Sequence, residues 1–96
     1  MVKFSVLIDE DDALPFIRSL PAKSNRIVKD KLRILEEDPF PGKGGDKELL
    51  KHSRHKDLYR IHISRSYTAI YRIFPDEKIV KILWVGTIEE AHKLYG

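Results

Sequence analysis

Arg60 and His62 stand two residues apart in Leu58-Tyr59-Arg60-Ile61-His62-Ile63-Ser64, a stretch that alternates apolar and polar residues. An extended chain sends successive side chains to opposite faces. Arg60, His62 and Ser64 therefore share one side, and Tyr59, Ile61 and Ile63 the other. A histidine among cations can move a proton near neutral pH. The cations beside it can hold a phosphate and stabilise charge developing on a phosphoryl group. RNA cleavage needs those parts. A base takes the proton of a 2′-OH, cations stabilise the crowded phosphorus, and an acid protonates the departing 5′-oxygen. The same spacing also describes a polar residue on a solvated strand face, and both readings stay open at this level.

The charge map adds to the first reading. The net charge is only +3, from 18 basic and 15 acidic residues. Residues 41–72 carry eight basic groups (Lys43, Lys47, Lys51, Arg54, Lys56, Arg60, Arg65 and Arg72) against three acidic ones, for a net +5. Residues 1–40 and 73–96 each come to −1. Clustered cations attract polyanions and release condensed counterions when they bind them. Lys47, Lys51, Arg54 and Arg65 are thus candidate phosphate contacts around Arg60 and His62.

Other chemistries find less support. The chain has no cysteine, which excludes disulfides, thiolate metal sites and a cysteine nucleophile. His52 and His55 are three apart but lie outside any helical pattern and have no nearby carboxylate pair, a poor metal signal. Gly42-Lys43-Gly44-Gly45 lacks the spacing of a phosphate-binding loop and does not join a strand to a helix. No metal and no cofactor are expected. No apolar run approaches the roughly 20 residues that span a bilayer, and the N-terminus lacks a basic head followed by an apolar block. A cytoplasmic protein with no membrane partner is expected.

The elements that must position these groups follow from patterning. Residues 2–8 alternate as a half-buried strand, with Val2, Phe4, Val6 and Ile8 on one side. Asp11 or Asp12 can cap a short helix that carries Pro15 in its first turn and ends near Leu20-Pro21. A second helix over 21–37 presents Ile27, Val28, Leu32, Ile34 and Leu35 as one apolar stripe. Residues 39–46 hold two prolines and three glycines and read as a loop. Strands follow over 47–51, 58–64, 67–74 and 79–85. The last is nearly all apolar, which predicts a central strand covered on both faces and ended by Gly86. Tyr71 and Trp84 are expected in the core, and 89–95 forms a short helical tail. If that tail is helical, Ile88, His92 and Tyr95 share a face. The layout is α+β, an N-terminal strand and a two-helix hairpin packed on one face of a mostly antiparallel sheet.

The ordered segments resemble the RelE/ParE toxin superfamily over nearly the whole chain. The resemblance is carried by the Leu20-Pro21 junction, the exit Leu35–Gly42, Lys47–Ser53, the hairpin Leu58–Ile73, Lys78–Gly86 and the tail His92–Tyr95. It implies one toxin domain over 1–96, with a cognate antitoxin as partner and a toxin–antitoxin hetero-oligomer as the resting form. It implies a ribosome-dependent messenger RNA endonuclease that blocks translation without a metal. His62 then falls where relatives have an acid–base lysine or histidine, and Arg60 where they have a functional lysine. Lys51 falls near a phosphate-binding arginine, and Tyr95 near a terminal tyrosine that stacks on a base. His92 is a candidate substitute for a histidine beyond the last strand. Two positions depart from the pattern: Thr68 replaces an arginine, and Glu89-Glu90 replace a basic stretch. Those departures keep open a fold that only binds antitoxin or ribosome, and the resemblance also leaves open its ParE branch, an inhibitor of DNA gyrase, which no feature of the sequence selects.

Overall fold

The computed structural model describes residues 3–42, 45–50 and 57–95. In chain order the elements are β1 (Ser5–Ile8), α1 (Ala13–Ser19), α2 (Ala22–Glu37), β2 (Lys47–Leu49), β3 (Tyr59–Ile63), β4 (Tyr67–Phe74), β5 (Ile79–Thr87) and α3 (Ile88–Tyr95). The strands form one sheet in the order β1-β5-β4-β3-β2. β1 runs parallel to β5, and the other three pairings are antiparallel.

The helical hairpin covers one face. Ala13 and Ile17 of α1 and Val28, Leu32 and Leu35 of α2 pack on Ile61, Ile63, Ala69, Tyr71, Val80, Ile82 and Val85. Burying each of the larger side chains contributes roughly 1.5–3 kcal/mol. Asn25 ties the two helices together by donating from Nδ2 to the Ile17 carbonyl at 2.9 Å. Tyr71 is fully buried, as its strand position predicts, and its hydroxyl donates to the Pro39 carbonyl at 2.8 Å.

Several expectations are corrected by the geometry. The start of α1 is capped by Asp9, whose Oδ2 accepts from the Asp12 and Asp11 amides at 2.8 and 3.2 Å. Asp12 sits at the N-cap position but in a helical conformation (φ −108°, ψ −45°), and its side chain makes no cap bond. Ile27 and Ile34 are 41% and 43% exposed. At 3.6 residues per turn they lie roughly 100° around α2 from the centre of the buried Val28–Leu32–Leu35 face. β5 is an interior strand, paired with β1 on one flank and β4 on the other, but it is not covered on both faces throughout: Lys81 in its first half is exposed. β5 also continues through Gly86 to Thr87. The role of Gly86 is steric: a Cβ there would come within 2.5 Å of the Trp84 ring. Trp84 is half-buried on the face away from the helical hairpin, outside the main core. A bulge pairs Ile70 with Trp84 and Tyr71 with Ile82, leaving Leu83 as the extra residue.

The second face is divided. α3 packs on β4 and β5 there, burying Ala91 and setting the Tyr95 ring 5.9 Å from the Trp84 ring. The β2–β3 side of that face carries polar side chains.

Candidate functional site

The site begins with the segment before β2, which three contacts hold. Lys31 Nζ meets Asp46 Oδ2 at 2.8 Å, and that contact keeps the Asp46 carboxyl below its ordinary range. Lys47 Nζ donates to the Asp38 carbonyl at 2.7 Å and lies 3.4 Å from the Asp38 carboxylate. The Asp46 carbonyl accepts from the His62 amide at 2.8 Å. These contacts fix the β2–β3 register, which pairs Lys47 with Ile61, Glu48 with Arg60 and Leu49 with Tyr59.

That register places Glu48 beside Arg60 and His62 on the face away from the helical hairpin. Arg60 Nε donates to Glu48 Oε1 at 2.8 Å, and Arg60 Nη2 donates to the same oxygen. His62 Nε2 lies 3.5 Å from that oxygen as well. The Arg60 hydrogen bond is the main cause that holds the Glu48 carboxyl below its ordinary value, with the charges of Arg60 and His62 adding to it. Arg60 is nearly covered, its side chain 14% exposed, whereas that of His62 is 38% exposed. The arrangement is a cation held in place by a carboxylate, next to an imidazole that solvent and substrate can reach. It can bind an anion and exchange a proton.

Two neighbours complete this side. Ser64 adopts φ 55° and opens the β3–β4 turn, and its hydroxyl accepts from the Ser66 amide at 3.3 Å. Arg65 at the tip is exposed. The Ser66 carbonyl accepts from the Ile88 amide at 3.1 Å, which ties this turn to the start of α3. Thr87 caps α3 by accepting at Oγ1 from the Glu90 amide at 3.2 Å. Glu89 and Glu90 occupy the first turn of that helix, where negative charge complements the helix dipole. Thr68 is fully buried and donates to the Ile61 carbonyl at 3.0 Å. Both departures from the basic pattern thus have local structural roles.

The structure brings Arg60 and His62 together at Glu48, on the one face that the alternation predicts, and leaves Arg65 in the β3–β4 turn. Lys47 is placed elsewhere. Its partner Ile61 faces the helices, so Lys47 points to the covered side, where its ammonium is engaged by Asp38. His92 is exposed on α3, and the helix face turned to the sheet carries Ala91 and Tyr95 instead. Tyr95 packs on Trp84. Burial pushes its phenol up, and the Asp12 carboxylate adds to the shift. Lys51 and Arg54, together with His52 and His55, lie outside the described residues. Glu48 is the site residue that sequence reading missed. The parity that turns Lys47 inward also turns Glu48 toward Arg60, but that signal requires the register of a hairpin whose connection is long. Among the described residues no group of three or more His, Asp or Glu side chains is placed to hold a metal. No helix among them is long and apolar enough to cross a membrane.

Comparison with known proteins agrees with this architecture. RelE in the archaeal RelE–RelB complex from Pyrococcus horikoshii superposes with a TM-score of 0.72 at 28% identity, covering 90% of this chain and 96% of that one. A doubly substituted Escherichia coli toxin RelE in the free state gives 0.71 at 26% identity, covering 96% and 90%. The RelBE2 toxin–antitoxin complex of Mycobacterium tuberculosis gives 0.74 at 20% identity, covering 90% and 99%, a likeness of fold alone. No curated protein matches the sequence. The sequence model of the ParE toxin of type II toxin–antitoxin systems matches residues 11–91, and the chain belongs to that family.

Proposed function

We propose that this toxin cleaves messenger RNA on the ribosome and is held silent by a cognate antitoxin. The observation that carries the reading is the half-exposed His62 beside the Glu48–Arg60 pair, on the face of the sheet that the helical hairpin leaves open. His62 exchanges the proton of the 2′-OH or of the departing 5′-oxygen. The 2′-oxygen attacks phosphorus, the bond from phosphorus to the 5′-oxygen breaks, and the products carry a 2′,3′-cyclic phosphate and a 5′-hydroxyl. Arg60 and Arg65 neutralise the phosphate, with Lys51 and Arg54 as further cations of the same segment. Glu48 is a positioning residue: it orients the Arg60 guanidinium and faces His62. Tyr95 supplies a stacking surface at the far side. In the geometry described its half-buried ring lies tilted against Trp84, with the ring centroids 5.9 Å apart.

Induced expression of the protein tests the reading, with primer extension on cellular messages. New 5′-ends inside coding regions and growth arrest, both lost in His62→Ala, are the expected outcome. Intact messages with accumulating double-strand DNA breaks would instead assign the gyrase-directed function.

One observation favours a second reading. Arg60 already spends two donors on Glu48, and Thr68 is fully buried with its hydroxyl bonded to the Ile61 carbonyl. A protein kept only for antitoxin or ribosome binding would have such a satisfied site. It would co-sediment with ribosomes without producing new ends.

A further inference from the structure

Two rows of side chains cross the open face of the sheet at the site. Arg60 pairs with Ile70, and Ile70 with Trp84; His62 pairs with Thr68, and Thr68 with Gly86. Neighbouring strands lie about 4.8 Å apart, so β5 faces the site residues of β3 across roughly 10 Å. Ile70 and Thr68 are fully buried between them. Trp84 is the aromatic side chain of these rows, and its ring leaves its own row. A Cβ on Gly86 would come within 2.5 Å of Cζ2 and Cη2 of the indole. The ring therefore lies over Gly86, in the row of His62, and a glycine at that position leaves the space for it. Tyr95 meets the ring at a tilt of 59°, with the centroids 5.9 Å apart, so the two rings are not stacked on each other.

The indole is also incompletely used by the fold. It is half-buried, and among the described residues its Nε1 neither finds an acceptor nor is sealed from solvent. A buried tryptophan or tyrosine normally finds a partner for its polar atom. Tyr71 does so, fully buried with its hydroxyl on the Pro39 carbonyl. We propose that the Trp84 indole is the platform on which a base of the message stacks, in the nucleotide whose phosphate Arg60 holds. The phosphate lies at β3, the ribose crosses above Thr68, and the base rests against the indole over β5. Every base offers a π-face, and a purine offers more of it than a pyrimidine. Trp84 thus binds substrate and sets a base preference beside the cut, and it moves no proton. Gly86 is a positioning residue that acts through it. This assignment rests on the RNA reading of the Arg60–His62 site and names what holds the base there.

Two measurements on the full chain test it, one with cleavage and one without. On programmed ribosomes, messages that differ only in the bases beside the cut are compared in single turnover. Trp84→Ala should raise the half-saturating toxin concentration about 5–100-fold, the loss of one stacked base. It should leave the maximal rate nearly unchanged and flatten the preference for a purine. Trp84→Phe keeps an aromatic ring and should keep most of the preference. Gly86→Ala keeps the indole but pushes it aside, and should flatten the preference as Trp84→Ala does. A Trp84 that only supports the fold would lower the melting temperature and leave the preference alone. The second measurement uses the chain's single tryptophan as reporter. A 2′-O-methyl trinucleotide of adenine, which cannot be cut, should quench its emission, and the same backbone without bases should not. Unchanged preference and half-saturation in Trp84→Ala, with wild type cutting normally, would overturn the proposal and leave the cleavage reading standing. No cutting by wild type would remove that reading instead, and the emission then decides. Equal quenching by both trinucleotides, or none by either, overturns the platform.

Discussion

At one edge of the sheet, β2 carries Lys47 and Glu48, and each is held by a neighbour: Lys47 by Asp38 and Glu48 by Arg60. At the other edge, β1 reads Ser5-Val6-Leu7-Ile8, bears no charge, and leaves Leu7 half in solvent. The two edges face the same problem, a row of unpaired main-chain groups. β2 is occupied by its own ion pairs, and these also position the candidate site. β1 is left bare, with free cations next to it. Charge in the sequence is therefore a poor guide to where an anion binds. The basic block of residues 41–72 spends two of its cations on internal carboxylates, while the near-neutral N-terminal segment displays Lys29 and Arg33 unpaired among the described residues.

The comparison can be broken first at the site that β2 supports. Arg60→Ala should lower the rate of message cleavage by about 10²-fold, as loss of a preorganised donor to a developing oxyanion does. Single-turnover cleavage measures it, with circular dichroism as the check on folding. A smaller effect is expected from the structural cation. Lys47→Ala removes a buried stem and the bond to the Asp38 carbonyl, at a cost of about 1–3 kcal/mol. Lys47→Met should recover the packing share in a urea melt. Gly86→Ala should cost a similar ~1–3 kcal/mol by forcing the Trp84 ring aside, and the tryptophan emission should shift with it.

Acid sharpens the same contrast. The Glu48 carboxyl is held below its ordinary value of 4.5. Its contribution is therefore complete above that value and is lost as pH falls through the lower folded value. Wild type should lose more thermal stability between pH 6 and about 3 than Glu48→Gln does, once both are referred to neutral pH. The smallest effect is expected at the bare edge. Leu7→Lys should change stability by no more than about 0.5 kcal/mol, because the side chain is exposed already, and should guard the edge against added strands.

Much of this was legible in the residues, and the reasons are particular. The alternation in Tyr59–Ile63 fixed which side chains of β3 face the helices, so Arg60 and His62 were placed correctly. The Leu20-Pro21 junction and Pro39 marked helix ends because proline constrains its neighbours. The failures came where tertiary register decides. Lys47 and Glu48 exchange roles according to a pairing across residues 50–57, which local pattern does not specify. Ile27 and Ile34 fit a three- and four-residue apolar pattern, yet they lie to the side of the face that α2 turns to the sheet. A glycine after an apolar run reads as a strand stop, but Gly86 lies within β5 and makes space for the Trp84 ring. A three- and four-residue spacing groups His92 with Tyr95, whereas the face that α3 turns to the sheet carries Ala91 and Tyr95 and leaves His92 exposed.

The central claim is that His62 carries chemistry on RNA. Purified wild type and His62→Ala should be compared in single turnover on ribosomes programmed with a defined message, with the product ends analysed. Wild type is expected to cleave to a 2′,3′-cyclic phosphate and a 5′-hydroxyl, and the variant to do so about 10²–10⁴-fold more slowly with an unchanged melting temperature. Equal rates in the two proteins, or no cleavage by wild type under conditions where it binds the ribosome, would contradict it.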